Sequence, residues 1–326
     1  MNHARTSLIV PAYNEGDRLE TGFARLTRAA DEGRVDLDDF EILFVDDGSD
    51  DDTALVAKRL ADAMPHARVL QQDRNRGKGA AIRAGVRAAT TELVVFTDAD
   101  MAIDPRQMPS MLAALDETPV AVGSRAIKGH IDYGSWLRTR AGRSFNRLVR
   151  LVSTVDLRDT QCGWKGARTS HAKILFHLTT IDGFAFDVEM LARSKSLGWS
   201  VTEVPVSWSD VTGSHVRLAR DSVTMLRDLS MARIRSSSLP ELLGLSAVPA
   251  SALEDVVAHC SGTLLEAAPI LTGADGSHTI VAALLAPADA RSALTKLASI
   301  SDGVIRPVPI EEIARASAVR SAIGPR

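Results

Sequence analysis

Cysteine is scarce in this chain: two in 326 residues, Cys162 and Cys260, far apart and in no CxxC or other metal-ligand spacing. That argues against a thiolate metal site and points to a reducing compartment, with a single bridge left open. Long apolar runs are missing too. The longest, Ile280 to Ala288, has nine residues and contains Pro287, about half of what a membrane-spanning helix needs. The N-terminal stretch MNHARTSLIVPAYNE has no signal-peptide apolar core. An excess of one charge is also lacking. The net charge is only −3, so nothing global favours a nucleic-acid partner, and any basic surface is local. The isolated histidines form no ligand spacing. These absences predict a cytoplasmic protein that touches a membrane only at its surface.

What is present is an ordinary globular composition, 45% hydrophobic and 24% charged, in a chain longer than one typical core. Two domains, or one large domain with an appendage, are expected. From residue 7 to about 125, short β-branched runs alternate with helical stretches. The strands are expected at Ser7 to Ala12, Glu41 to Asp46, Arg68 to Gln71, Leu93 to Thr97 and Val120 to Gly123. Helices fit between them at Asp17 to Ala30, Asp51 to Ala63, Lys78 to Ala89 and Pro105 to Leu115. The pattern predicts an α/β fold with a mostly parallel central sheet. Ligands of such sheets bind beyond the carboxyl ends of the strands, where this chain has PAYNE, DDGSDD, TDAD and GSR.

In TDAD, Asp98 and Asp100 are two residues apart, so an extended backbone would present both carboxylates to one side. Such a pair holds Mg2+ or Mn2+ when substrate phosphates complete the shell; the plain alternative is a strand ending in a polar turn. In DDGSDDDT, Gly48 permits a sharp turn, and Ser49 or Asp50 is positioned to cap the next helix with Asp51 and Asp52 in its first turn. Capping does not require Asp46 or Asp47, which can accept hydrogen bonds from a ribose hydroxyl or a base N–H. NRGKGAA resembles a P-loop superficially, but Gln72 and Gly79 stand where glycine and Ser/Thr are needed. A basic turn carrying Lys78 can still approach a nucleotide.

In their order, PAYNE (Pro11 to Glu15), DDGS (Asp46 to Ser49) and the DxD at Asp98 to Asp100 resemble the nucleotide-sugar site of the inverting family 2 glycosyltransferases with the GT-A fold. The resemblance spans roughly residues 5 to 235. RDTQCGWK (Arg158 to Lys165), GFAFDVEML (Gly183 to Leu191) and VSWSDVTGSHV (Val206 to Val216) are similar to the dolichyl-phosphate β-glucosyltransferases and their bacterial polyprenyl-phosphate relatives. The eukaryotic enzymes carry an N-terminal membrane anchor that this sequence lacks, which leaves the mode of membrane attachment open.

The resemblance implies a donor half at about 5–125 and an acceptor half at about 126–235; after about residue 236 the composition shifts, and a linker at 236–250 and a small C-terminal α/β appendage at 251–326 are expected, with a helix at Ala252 to Cys260, a strand at Thr279 to Leu285 and a helix at Ala288 to Ile300. It implies transfer of glucose from UDP-glucose to a polyprenyl phosphate. Pro11, Tyr13, Glu15, Asp46, Asp47, Lys78, Asp98, Gln161, His215 and Arg217 would surround the donor, with Asp98 and Asp100 on the metal. Arg125, Asp159 and Lys165 would serve the transfer, Arg125 near the phosphates and Asp159 orienting the substrate or Lys165. A phosphomonoester loses its second proton at about pH 6, so a phosphate acceptor needs no general base, whereas a sugar hydroxyl would make Asp159 the natural one.

Two basic segments fit an interfacial role. On a helical wheel over Trp136 to Ser153, Leu137, Phe145, Leu148 and Val152 share one face and Arg140, Arg143, Arg147 and Arg150 the other. Each basic residue near an anionic surface contributes about 1 kcal/mol; a surface helix packed on its own domain has the same pattern. Val216 to Arg235 is the second. Other readings remain: a soluble transferase with a small-molecule or polysaccharide acceptor, a GDP-mannose donor, or a non-catalytic nucleotide-binding scaffold. A sugar nucleotidyltransferase would open with a glycine-rich loop, where this chain has PAYNEGDR.

Overall fold

A computed structural model describes residues 5–64, 66–127 and 157–208, the strand segments 242–248, 270–272, 278–283 and 304–307, and residues 295 and 298. Seven strands form the central sheet: β1 (Thr6–Ala12), β2 (Phe40–Asp46), β3 (Ala67–Gln71), β4 (Leu93–Phe96), β5 (Val120–Ser124), β6 (Lys165–Arg168) and β7 (Val201–Pro205), in the order β3-β2-β1-β4-β6-β5-β7. Every pairing is parallel except those of β6, which runs antiparallel between β4 and β5. The helices are α1 (Gly16–Asp31), α2 (Thr53–Asp62), α3 (Lys78–Ala88), α4 (Met108–Glu117), α5 (Thr169–Leu178) and α6 (Phe186–Ser196).

The period-2 alternation of each strand sorts its residues between two cores. Leu8, Val10, Ile42, Phe44 and Val95 pack with α1, α2 and α4 through Leu19, Leu26, Val56 and Met111. Ile9, Leu43, Val45, Val94 and Phe96 pack with α3, α5 and α6 through Ile82, Val86, Phe176 and Val188. Because both faces are covered, β1 is buried along its whole length, and each large side chain there contributes about 2 kcal/mol by burial.

The antiparallel direction of β6 matters for the site. A parallel strand delivers the segment that follows it to the carboxyl edge of the sheet. An antiparallel strand delivers the segment that precedes it, and RDTQCGW thereby arrives beside the ends of β4 and β5.

The expected linker at 236–250 contains a strand, β8 (Leu242–Val248), which pairs antiparallel with β10 (His278–Ala283) and β11 (Val304–Pro307); β9 (Ile270–Thr272) pairs with β10. The Ser- and Pro-containing flanks gave LLGLSAV the look of a connector, and its partners lie thirty or more residues on. The appendage's sheet is thus antiparallel, in the order β11-β8-β10-β9, and Thr295 and Ala298 are helical. The helix expected at Ala252 to Cys260 lies outside the described residues, as do both basic segments. Among the described residues no helix is long and apolar enough to cross a membrane.

Candidate active site

The loops after β1 and β2 are latched together. Asn14, in the left-handed region at φ 52, donates its N–H to Ser49 Oγ at 3.0 Å and accepts from the Asp50 N–H through Oδ1 at 2.9 Å. The Glu15 N–H donates to Thr53 Oγ1 at 2.8 Å. Ser49 and Asp50 therefore bind the PAYNE loop and do not cap α2, which begins at Thr53 with its N–H on Asp51 Oδ1 at 2.9 Å. Gly48 is required where it stands: its φ is +70, and a Cβ would lie 2.4 Å from the Arg74 backbone. Pro11 is buried within β1, while Tyr13 is exposed at the rim.

The two aspartates of DDGS differ. Asp47 accepts from Gln72 Nε2 at 2.9 Å and the Arg76 N–H at 3.0 Å through Oδ1, and from the Gly77 N–H at 2.7 Å through Oδ2. Burial pushes its carboxyl up despite those bonds. It shapes the 72–77 loop, with two donors on Oδ1 and one on Oδ2, so the loop shares the carboxylate expected at the nucleoside. Asp46 keeps that role open: Oδ1 accepts from the Ser49 N–H at 3.1 Å, and the buried Oδ2 has no partner, an unmet acceptor that a base N–H or a hydroxyl would satisfy.

Asp98 and Asp100 are not on the strand. β4 ends at Phe96, and a turn follows, closed by the Met101 N–H on Asp98 O at 3.0 Å, with Met101 at φ 45. The expected alternation fails, and the environments diverge. The Asp98 side chain is 41% exposed and pairs with Lys78 Nζ, the first residue of α3. Burial works to raise its pKa, but Lys78 together with Lys165 and Arg18 holds the carboxyl below its ordinary value. Lys78 is raised in turn, Asp98 overcoming its desolvation. Asp100, only 4% exposed, accepts from the Ala102 N–H at 3.0 Å through Oδ1 and is paired with Arg18 Nη2 through Oδ2. Arg18 also reaches Glu15 through Nη1, and burial still raises the Glu15 carboxyl.

The N-terminus of α3 is not an anion site. The Gly79 and Ala80 N–H groups donate to Asp182 O at 2.7 and 3.2 Å, in a loop that Arg83 braces from below. Only the Lys78 side chain carries positive charge into the site from this helix.

On the acceptor side, Arg125 grips Asp159 with a fork: Nε to Oδ2 at 2.6 Å, Nη2 to Oδ1 at 2.9 Å, and the backbone N–H to Oδ2 at 3.1 Å. Burial would raise the Asp159 pKa; Arg125 reverses this and holds it low. Glu203 on β7 accepts from the Arg158 and Asp159 N–H groups at 3.0 and 3.3 Å, fixing that loop. Lys165 does not meet Asp159. It is 0% exposed and pairs with Asp187 at 3.0 Å and with Cys162 O, so it supports the site from behind and touches no substrate. This corrects its expected catalytic role. Gln161 lies on the same loop, half-buried. His215 and Arg217 fall outside the described residues.

Sequence reasoning missed Arg18 and Gly163. A Cβ on Gly163 would lie 2.1 Å from Asp98 Oδ2, so the acceptor loop rests directly on the donor-side carboxylate. The glycine of TQCG was its only signal.

The residues fit a divalent cation shared with substrate phosphates. Asp98 is ionised and partly open, and Asp100 lies two residues on. Among the described residues there is no cluster of three or more His, Cys, Asp or Glu that could hold an ion unaided, so a cation here would need substrate phosphates to complete its shell.

Comparison with known proteins agrees with this geometry. The family model described as "Glycosyl transferase family 2" matches residues 7–176. The dolichyl-phosphate beta-glucosyltransferase of Drosophila melanogaster is 34% identical over 247 residues, covering 70% of this chain and 74% of that one. The Trichomonas vaginalis dolichyl-phosphate beta-glucosyltransferase ALG5C is 33% identical, covering 66% of each chain. Glycosyltransferase AglD of Haloferax volcanii is 33% identical over 67% of this chain but only 35% of its own length. Among solved structures, glucosyl-3-phosphoglycerate synthase from Mycobacterium tuberculosis, in complex with Mn2+, UDP and glucosyl-3-phosphoglycerate, superimposes with a TM-score of 0.54 at 19% identity, covering 70% of this chain and 80% of that one. The strand order, the strand-end carboxylates and these matches lead to one conclusion: the chain belongs to glycosyl transferase family 2 and is a glycosyltransferase of the GT-A fold.

Proposed function

We propose that this chain transfers glucose from UDP-glucose to a polyprenyl phosphate, with inversion and with help from a divalent cation, at the cytosolic face of a membrane. The observation that carries the acceptor is the Arg125–Asp159 fork. A hydroxyl acceptor needs a base to take its proton, and Asp159 would be that base; here it is clamped on both oxygens and held below its ordinary value by Arg125. A phosphate acceptor is already deprotonated at neutral pH. The names of the relatives support the same acceptor and sugar, and the solved neighbours bound to UDP, UDP-glucose and Mn2+ or Mg2+ support the donor and the metal.

In this reading an acceptor phosphate oxygen forms a bond to the anomeric carbon as the bond from that carbon to the diphosphate oxygen breaks, and UDP departs with the electron pair. Asp98 and Asp100 would hold the cation, which neutralises charge on the departing UDP when bound. Lys78 supplies a second positive charge on the same side. Asp46 receives the nucleoside through its free oxygen. Asp159 holds Arg125 through Nε and Nη2, which leaves the Nη1 side of the guanidinium to donate to an acceptor phosphate oxygen.

The test is incubation of the purified chain with Mg2+, labelled UDP-glucose, GDP-mannose or other sugar nucleotides, and a short polyprenyl phosphate. A labelled lipid formed from UDP-glucose is expected. Label appearing only in water-soluble product would replace the lipid acceptor with a small-molecule or polysaccharide one. Flotation with anionic liposomes checks the membrane surface, since a protein without membrane affinity stays at the bottom of the gradient.

A further inference from the structure

Arg18 stands where an arriving cation would have to go. Its Nη2 holds Asp100 Oδ2 and its Nη1 holds Glu15 Oε1, while its Nε is buried and has no acceptor. The guanidinium is thus 21% exposed, carries two carboxylates and leaves one donor unmet. Its helix cannot retreat from the turn: a Cβ on Gly22 would lie 2.0 Å from Ala99 O, so α1 is seated directly on the Asp98–Asp100 backbone. Only the side chain is free to move.

The charges of the cluster make the exchange specific. Glu15, Asp98 and Asp100 face Arg18 and Lys78, three negative charges against two positive. A divalent cation entering alone would meet a guanidinium already on Asp100 and would have to displace its Nη2, leaving the arginine with Glu15 as its one carboxylate partner and two donors unmet. A cation entering with a diphosphate brings acceptor oxygens for the displaced guanidinium, including one for the unmet Nε–H.

We propose that Arg18 is the resident cation of this site: it occupies Asp100 and Glu15 in the ligand-free protein, yields Asp100 to the divalent cation, and then pairs with the diphosphate. This rests on the metal reading above. It makes metal and nucleotide binding mutually dependent, and it assigns Arg18 as a binding residue for the diphosphate.

The test titrates Mn2+ against the full chain by electron paramagnetic resonance, with and without UDP, in the parent, Arg18→Met and Arg18→Lys proteins; circular dichroism verifies that each is folded. The parent is expected to bind Mn2+ weakly alone and at least about tenfold more tightly with UDP, within the range of ordinary coupling between sites. Arg18→Met is expected to bind Mn2+ alone about tenfold more tightly than the parent, because the competing charge is gone, and to lose most of the enhancement by UDP. Arg18→Lys keeps the charge without the fork and is expected between the two. If Arg18→Met binds Mn2+ alone no better than the parent while UDP still enhances binding in both, Arg18 is not a competitor and the inference fails by itself. If the parent binds no Mn2+ even with UDP, the metal reading fails and takes the inference with it.

Discussion

Gly163 and Asp159 show how little freedom single positions have here. The missing side chain of Gly163 leaves room for the Asp98 carboxylate, and Gly163→Ala would force that carboxylate off Lys78. The expected result is a loss of kcat/KM of about tenfold to a hundredfold, equivalent to about 1.4 to 2.8 kcal/mol of transition-state stabilisation; a variant with parental kinetics would mean that Asp98 does not act where it stands. Asp159→Asn separates orientation from proton transfer. Loss of a general base costs about 100- to 10,000-fold, whereas Asn keeps one acceptor for Arg125, so turnover on a phosphate acceptor is expected to fall by about tenfold or less.

The same variant has a pH signature. The folded Asp159 carboxyl lies below its ordinary value, so its stabilising contribution is complete above the usual carboxylate range and disappears as pH falls through the folded pKa. Arg125 is one-third exposed, so the partly screened pair contributes about 2 kcal/mol. Urea unfolding should show Asp159→Asn less stable than the parent by that amount at pH 7, with the gap narrowing below about pH 4. A gap independent of pH would remove the ion pair as its cause.

At the scale of elements, α1 and the turn after β4 meet through Gly22. In an isolated helix Gly→Ala would stabilise by up to about 1 kcal/mol. Here the Cβ meets Ala99 O at 2.0 Å, and overpacking of that kind costs about 1 to 3 kcal/mol, so the clash wins. Gly22→Ala is expected to lower the melting temperature and, by tilting α1, to weaken Mn2+ binding in the presence of UDP. A melting temperature at or above the parent's would show that the helix can move aside.

From residue 7 to about 125 the elements and their order were legible because strand-length β-branched runs alternate with helical ones, and polar motifs end the strands; β6, α5, α6 and β7 beyond them were not read from the sequence. What escaped depended on contacts distant in sequence. Asp46 and Asp47 are neighbours in one motif, and only the returning 72–77 loop distinguishes them. Arg18 three residues after Glu15 has the spacing of an ordinary surface pair on a helix; Asp100, eighty-two residues away, turns it into part of the site. The Asp98–Asp100 spacing suggested two equivalent carboxylates because the strand was expected to continue through Thr97.

For the whole molecule, the two helical layers share one sheet, and stability should fall from its centre to its edge. β1 is buried throughout, while β3 alternates between half-buried and exposed positions. Hydrogen exchange is expected to be slowest in β1 and β4, limited by global unfolding, and at least about tenfold faster in β3. Equal protection across the sheet would mean that the edge opens only with the whole. The buried Cys162, whose thiol burial pushes up to about 12, offers a second probe. In a Cys260→Ser background it should resist alkylation at pH 8 until the sheet unfolds.

The carbonyl of Asp182 seated on the first amides of α3 bears on inhibitor chemistry. Compounds whose phosphate surrogate is chosen to cap a helix would find that cap already filled. A selective compound has to gain its affinity from side chains instead, by offering the Lys78 ammonium and the Arg18 guanidinium two separated anionic groups.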